Sequence, residues 1–289
     1  PHNFNSHDIS CTEMIIKSGI KKVSCPKIDT NPKVKGNGFK QLEKEGIEII
    51  TSWGDYQKKQ IDELYEAYDF KIKNLRPRIA AKFAMTLDGK ISTSNNESKW
   101  ITSKESRNKV HEIRNRCDAI ITGINTIISD DSKLTARLNN KHTGKPKYRV
   151  VLDNNSKLNN THKIYKNENA GKVIWFTSKD VNPTHIPSHI THVNSKNIKI
   201  SPLEVIDFLT ELGCYEILLE SGGSVLGSFF DEKLVDKVYA FIAPSIFGGI
   251  SASSPVEGKG IQNITDRIKL SNLSVERIKE DILIIGNID

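Results

Sequence analysis

RIAAKFAMTLDGKISTSNNESKW, Arg78–Trp100, decides the fold. Its apolar residues alternate at Ile79, Ala81, Phe83 and Met85, the pattern of a strand buried on one face. The alternation stops at Thr86-Leu87-Asp88-Gly89, where Asp-Gly suits a tight turn with positive φ. A polar loop leads to Ser98-Lys99-Trp100-Ile101-Thr102. Thr102-Ser103-Lys104-Glu105 then fits a capping box, with Thr102 as N-cap, opening a helix to about Arg116. Val110, Ile113 and Cys117 share its buried face. At about 100° per residue, Arg107 and Arg114 lie roughly 60° and 40° from Val110, on the edge of that face, while Glu112 and Arg116 point outward. An edge arginine can pack its stem and extend its guanidinium into a pocket, or close an ion pair within the chain.

Beyond this helix, Asp118–Gly123 is a short apolar run ended by glycine and reads as a buried strand. Asn125-Thr126 opens a short helix that Asp130-Asp131 closes, and the N–H groups at its start favour phosphate or amide oxygens. Strands are expected over Tyr148–Leu152, Lys172–Thr177 and Tyr215–Leu219, and the last strands within Val235–Ile246 and Val275–Gly286, ending in a hairpin. Glu220-Ser221-Gly222-Gly223-Ser224 follows an apolar strand and leads into a helix over Val225–Asp231. Glycines there let backbone N–H groups approach a pyrophosphate. A complete G-x-G-x-x-G with its ribose acid is absent from the sequence, so the two-domain dinucleotide fold is not supported. Strands alternating with helices predict an α/β protein with a largely parallel sheet covered on both faces.

A chain of 289 residues, 37% hydrophobic and 27% charged, has material for two domains. It contains no run long and apolar enough for a transmembrane helix, so no membrane partner is expected. The formal charge of +7 admits nucleic acid as a partner, but the lysines are scattered without interleaved aromatics. A solvated surface and a pocket for phosphorylated ligands account for the charge, and no nucleic-acid partner is expected. Cys11, Cys25, Cys117 and Cys214 are widely spaced and read as reduced thiols of a cytoplasmic protein. The chain starts at Pro1 without an initiator methionine or signal-peptide pattern, as a fragment or processed chain would.

Residues 1 to about 75 read as helix, strand, helix, strand: a helix from Ser10 closed by Gly19, a strand at Lys21–Cys25, a helix from Phe39 to Glu45 capped by Gly46, and a strand at Ile47–Ile50. A further helix spans Glu63–Tyr68. Pro77 stops helical structure, placing the boundary at 75/76.

The second region's motifs are A-K-x-A-M-x-L-D-G-K around Lys82, S-K-W-I-T at Ser98, I-I-T-G at Ile120, and Thr126, Asp130-Asp131, Leu134-Thr135 and Arg137. Together with L-E-S-G-G at Leu219, they resemble the reductase half of the bifunctional riboflavin-biosynthesis deaminase/reductase family, from about Arg76 onward. The resemblance implies a dihydrofolate-reductase-like domain at 76–289, a homodimer, and NADPH as cofactor. The implied reaction is reduction of 5-amino-6-(5-phosphoribosylamino)uracil to its ribitylamino form, with C1′ taking the hydride after ring opening. It assigns Lys82 and Glu220 to the reaction centre, and Ser98, Arg114, Leu134 and Arg137 to the phosphorylated aminopyrimidine. Ala84, Trp100, Thr126, Asp130, Ser178, Gly222, Gly223 and Ser224 go to the cofactor, Ser178 with Lys179 near an adenosine 2′-phosphate.

The residues alone leave alternatives open: Lys82 packing its stem, Arg114 in an internal ion pair, Trp100 in the core, Ser178 as an ordinary strand end. Asp88 reads as a turn-shaping residue, and no proton donor is identified.

The N-terminal segment resembles the back half of a zinc-dependent nucleotide deaminase. Cys11 takes the place of one zinc-ligating cysteine and His2 that of the other, while the upstream His and Glu are missing. Such a remnant is not expected to hold zinc or deaminate; Cys11 reads as a buried thiol, and His2 and His7 as surface residues. Other readings are a reductase of a pterin or another aminopyrimidine, a deaminase if a fuller N-terminus is restored, and a silent scaffold or RNA-binding protein.

Overall fold

The computed structural model describes residues 9–139, 141–166 and 170–288. The chain divides into two compact units, Pro1–Arg76 and Pro77–Asp289.

In the first unit, helix α1 (Cys11–Lys17) opens with a capping box. The Ser10 N–H donates to Glu13 Oε2 at 2.9 Å, and Ser10 Oγ accepts from the Glu13 N–H at 3.3 Å. Strand β1 (Lys22–Ser24) pairs in parallel with β2 (Glu48–Ile50) across helix α2 (Asn37–Lys44). Helix α3 (Asp55–Asn74) is fastened to the loop after β1 by Lys27, whose ammonium meets Asp62 at 3.1 Å and Asp69 at 2.5 Å. The expected helix–strand–helix–strand order is present, but Cys11 is exposed at the start of α1 rather than buried. His2 and His7 lie outside the described residues.

The second unit opens with β3 (Arg78–Thr86), followed by α4 (Lys104–Arg116), β4 (Ala119–Gly123) and α5 (Ile124–Asp130). A two-residue pair, β5 (Arg137–Leu138) and β6 (Lys141–His142), precedes β7 (Tyr148–Leu152), α6 (Lys163–Lys166), β8 (Lys172–Thr177) and β9 (Ile190–Asn194). Then come α7 (Pro202–Glu211), β10 (Glu216–Leu219), α8 (Gly223–Asp231), β11 (Lys237–Ala243), β12 (Leu270–Ile278) and β13 (Asp281–Ile288). Among the described residues the sheet has nine strands, in the order β12-β13-β11-β3-β10-β4-β7-β8-β9. From β11 to β9 every pairing is parallel; β13 alone is reversed, pairing antiparallel with β11 on one side and with β12 on the other.

β3 is central, and this corrects the expectation of a single buried face. Ile79 and Ala81 join the core beneath α7 and α8, whereas Ala80 joins the opposite core with Val110 and Ile113 of α4, Ile127 of α5 and Trp175. The same division explains the unbroken apolar runs of β4 and β10, since successive side chains enter opposite layers. β9, which was not anticipated, closes the parallel edge. The N-cap of α4 is Ser103, not Thr102. Ser103 Oγ accepts from the Ser106 N–H at 3.2 Å, while Glu105 is drawn to Lys279 at 2.7 Å and forms no capping box. The Asp88 carboxylate accepts from the backbone N–H groups of Phe247 and Gly248, fixing the turn at Gly89 (φ +75°).

A strap running through Ser254–Gly260 lies along α8. The Glu257 N–H donates to Gly223 O at 3.1 Å, and the Lys259 N–H donates to Asp231 Oδ2 at 2.8 Å. Gly227 allows this approach, because a Cβ there would stand 2.2 Å from Glu257 O. Gly227→Ala is therefore expected to lower unfolding stability by about 1–3 kcal/mol, as overpacking against backbone does. A denaturant midpoint unchanged from the wild type would show that the strap does not need the close contact.

Candidate active site

The parallel strands end on one side, and the C-terminal ends of β3, β4, β7 and β10 line a single cavity of about 1580 Å³. Ligand sites of open α/β sheets form at such ends. Pairing of β10 with β3 sets Leu219 beside Ala81, and the next step in register brings Glu220 to Lys82. Lys82 Nζ lies 3.2 Å from Glu220 Oε1. From α4, Arg114 donates through Nε to Glu220 Oε2 at 2.8 Å and through Nη2 to Oε1 at 2.9 Å. Its Nη1 donates to Thr135 O at 3.1 Å. Burial pushes the Glu220 carboxyl up, but the charges and hydrogen bonds of Arg114 and Lys82 outweigh this and hold it well below the usual carboxylate range. The residue is an anion held between two cations.

Nearer the rim, Arg137 Nη2 donates to His111 Nε2 at 3.0 Å. Ser98 Oγ donates to Asp130 Oδ1 at 3.3 Å, and Lys99 Nζ donates to Asp130 O at 2.9 Å. Trp100, largely exposed at the cavity wall, carries the Arg107 guanidinium 4.3 Å from its ring centroid, so it is not a core residue. Leu134 is buried and lines the cavity with φ +50°.

Ala84 from the end of β3 and Gly222, Gly223 and Ser224 after β10 line the same cavity, as does Thr126. The Gly123 N–H donates to Ser221 Oγ at 2.8 Å, tying the end of β4 to the glycine turn. Gly222 keeps open space above it: a Cβ there would meet nothing nearer than Thr126 Oγ1 at 4.0 Å. Among the described residues no side chain caps the N-termini of α5 or α8. Uncapped backbone N–H groups, a bare glycine and a long polar and apolar cavity fit a dinucleotide.

Ser178 stands apart from the other expected residues. It is buried, does not line the cavity, and gives its hydroxyl to Asn154 Oδ1 at 2.9 Å. Asn154 and Lys157, which follow β7, line the cavity instead. Arg114 also differs in its engagement, with its guanidinium committed to Glu220 and Thr135. Residues that sequence reasoning missed are His111, Lys99, Asn154 and Lys157. For His111 the available signal was its place three residues before Arg114, on the same helix edge. Among the described residues no cluster of three or more His, Cys, Asp or Glu side chains is arranged to hold a metal ion. No helix among them is long and apolar enough to cross a membrane.

Residues 77–284 match the family described as the RibD C-terminal domain. The chain is 34% identical over 290 residues to the riboflavin biosynthesis protein RibD of Synechocystis sp., covering 99% of this chain and 76% of that protein. Among solved structures it is similar to the diaminohydroxyphosphoribosylaminopyrimidine deaminase/5-amino-6-(5-phosphoribosylamino)uracil reductase of Thermotoga maritima. There the TM-score is 0.83 at 31% identity, over 100% of this chain and 77% of that one. For RibD of Acinetobacter baumannii the TM-score is 0.82 at 25% identity, over 100% and 79%. The mixed α/β class expected from the resemblance is borne out by these likenesses.

Burial, with the Arg114 and Arg137 charges, lowers the His111 pKa from 6.5 to about 4. Between those values the unfolded chain binds a proton that the native chain refuses, so this contribution to stability is complete above pH 6.5 and is lost as pH falls toward 4. The urea midpoint of the wild type is expected to fall over that window, and that of His111→Gln to fall less steeply. Equal slopes would remove His111 from the acid response.

Proposed function

This chain belongs to the RibD family and carries its reductase domain, and from that premise we propose that it reduces 5-amino-6-(5-phosphoribosylamino)uracil to 5-amino-6-(5-phosphoribitylamino)uracil with NADPH. The observation that carries this reading is the Glu220 carboxylate held between Lys82 and Arg114 in the wall of a cavity with volume for both reactants. NADPH, when bound, supplies the hydride.

Glu220 anchors the sugar. Its two oxygens take three hydrogen bonds from Lys82 and Arg114, and a carboxylate offers about four acceptor sites, so one remains for a ribose hydroxyl. Lys82, whose ammonium has three N–H donors, spends one on Glu220 and presents the others to the ring oxygen. It gives that oxygen a proton as the C1′–O4′ bond breaks, while the amine nitrogen forms the C1′–N double bond that is then reduced. Arg114 keeps Glu220 ionised and in place, and Arg137 receives the 5′-phosphate at the rim. Ser98 and Leu134 bound the pyrimidine.

Ala84, Trp100, Thr126 and Asp130 would hold the cofactor together with the backbone N–H groups of Gly222, Gly223 and Ser224, all of which line the cavity. The lack of a side chain at Gly222 leaves room for a pyrophosphate.

Steady-state NADPH oxidation with the phosphoribosylamino-pyrimidine tests the reaction. Turnover is expected, and its absence from a folded sample that reduces a pterin would reject the choice of substrate. Lys82→Ala should lower kcat by roughly 10²–10⁴-fold, the range for loss of a positioned acid. Wild-type turnover in that variant would take Lys82 out of the chemistry.

A further inference from the structure

Arg137, itself exposed, reaches the cavity from the two-residue strand β5, and a long guanidinium side chain on such a support has no orientation of its own. The group that meets it is His111 of α4, also in the cavity wall. Arginine has no acceptor, so in the 3.0 Å contact between Arg137 Nη2 and His111 Nε2 the arginine donates and the imidazole accepts. That fixes the tautomer: the ring is neutral, with its proton on Nδ1, a buried atom. The charged groups acting on the ring are Arg114 from its own helix, Arg137 from β5 and Glu220 at the end of β10, so two cations stand against one anion. Arg114 is already engaged through Glu220 and Thr135, which leaves Arg137 as the cation at this end that His111 directs.

We propose that His111 is a positioning residue of this reaction: as a neutral acceptor it fixes the Arg137 guanidinium over the cavity in the orientation that receives the phosphate of the substrate. This inference rests on the reading of Arg137 as the phosphate-binding residue. Ordering the guanidinium before the substrate arrives removes that cost from the binding step. The contribution belongs to substrate affinity, because His111 touches Arg137 and not the reacting carbon.

The test compares His111→Leu, His111→Gln, Arg137→Ala and the Leu/Ala double variant by steady-state kinetics with the phosphorylated substrate and NADPH. His111→Leu is expected to raise KM for the phosphorylated substrate roughly tenfold, with kcat and KM for NADPH changed far less. His111→Gln, whose amide oxygen can accept from Arg137, should recover most of the loss. In the Arg137→Ala background, His111→Leu should add nothing further, because the group it positions is gone.

If Arg137→Ala raises KM while His111→Leu does not, the proposal falls and the assignment of Arg137 stands. If Arg137→Ala itself leaves KM unchanged in an enzyme that turns over, the assignment fails and takes the proposal with it. Equal losses in KM and kcat, no difference between the Leu and Gln variants, or additive effects in the double variant would each overturn it.

Discussion

The carboxylate of Glu220 is the constraint on which the rest of the second unit depends. An anion withdrawn from water is tolerated only where cations and donors replace its hydration, and here Arg114 and Lys82 do so from two different elements. That arrangement needs β3 and β10 paired in the register that sets Leu219 beside Ala81. It also needs α4 rotated so that Val110 and Ile113 enter the core while Arg114 faces the cavity, and the Leu134–Ala136 segment near enough for Thr135 to accept from Arg114. A slip of one residue in β3 would move Lys82 to the opposite face of the sheet and leave the carboxylate short of a cation. Buried ion pairs add little net stability over apolar residues of similar volume, so this one is better understood as holding a charge in place than as strengthening the fold.

Much of this was legible because the sheet is parallel. Ala119–Gly123 and Glu216–Leu219 are short, largely apolar runs ended by glycine or by a glycine turn, the length and composition of strands buried on both faces. The loops at their C-terminal ends were therefore identifiable as one side of the molecule, and Ala84, Thr126, Glu220 and Gly222 do line one cavity. The alternation in β3 misled in one respect. Alanine is small enough to be read as a spacer between larger residues, yet Ala80 is fully buried because α4 and its neighbours cover that face. The α4 cap shifted by one residue for a local reason: Ser103 satisfies the Ser106 N–H, while Glu105 has a cation to meet in Lys279.

Side-chain partnerships were much less legible. Helical geometry put Arg114 on the edge of a buried face, where a pocket and an ion pair are equally reachable, and the structure unites the two because the partner, Glu220, is itself in the cavity wall. Ser178 could not be placed from its position past a strand end, since its direction is set by Asn154, which the fold brings from 24 residues away. His111 had only its spacing from Arg114 to mark it: at about 100° from Val110 it lies off the buried stripe, and the return of the chain at Arg137 gives it its partner.

One guanidinium acts on both acceptors, leading in holding Glu220 ionised against its burial and adding to the burial that keeps His111 neutral. Arg114 lowers the pKa of Glu220 and of His111, which means opposite things for the two groups: the carboxylate is kept charged and the imidazole is kept uncharged. In both cases the form that accepts a hydrogen bond is the one favoured. Lys82, Arg114 and Arg137 meanwhile are donors only. Every polar role along this wall is therefore assigned before a ligand arrives, with Glu220 and His111 accepting and the three cations donating. A site organised in this way has little to reorganise around an anionic sugar phosphate, and its excess of positive charge is left facing the cavity, where such a substrate carries its own negative charge.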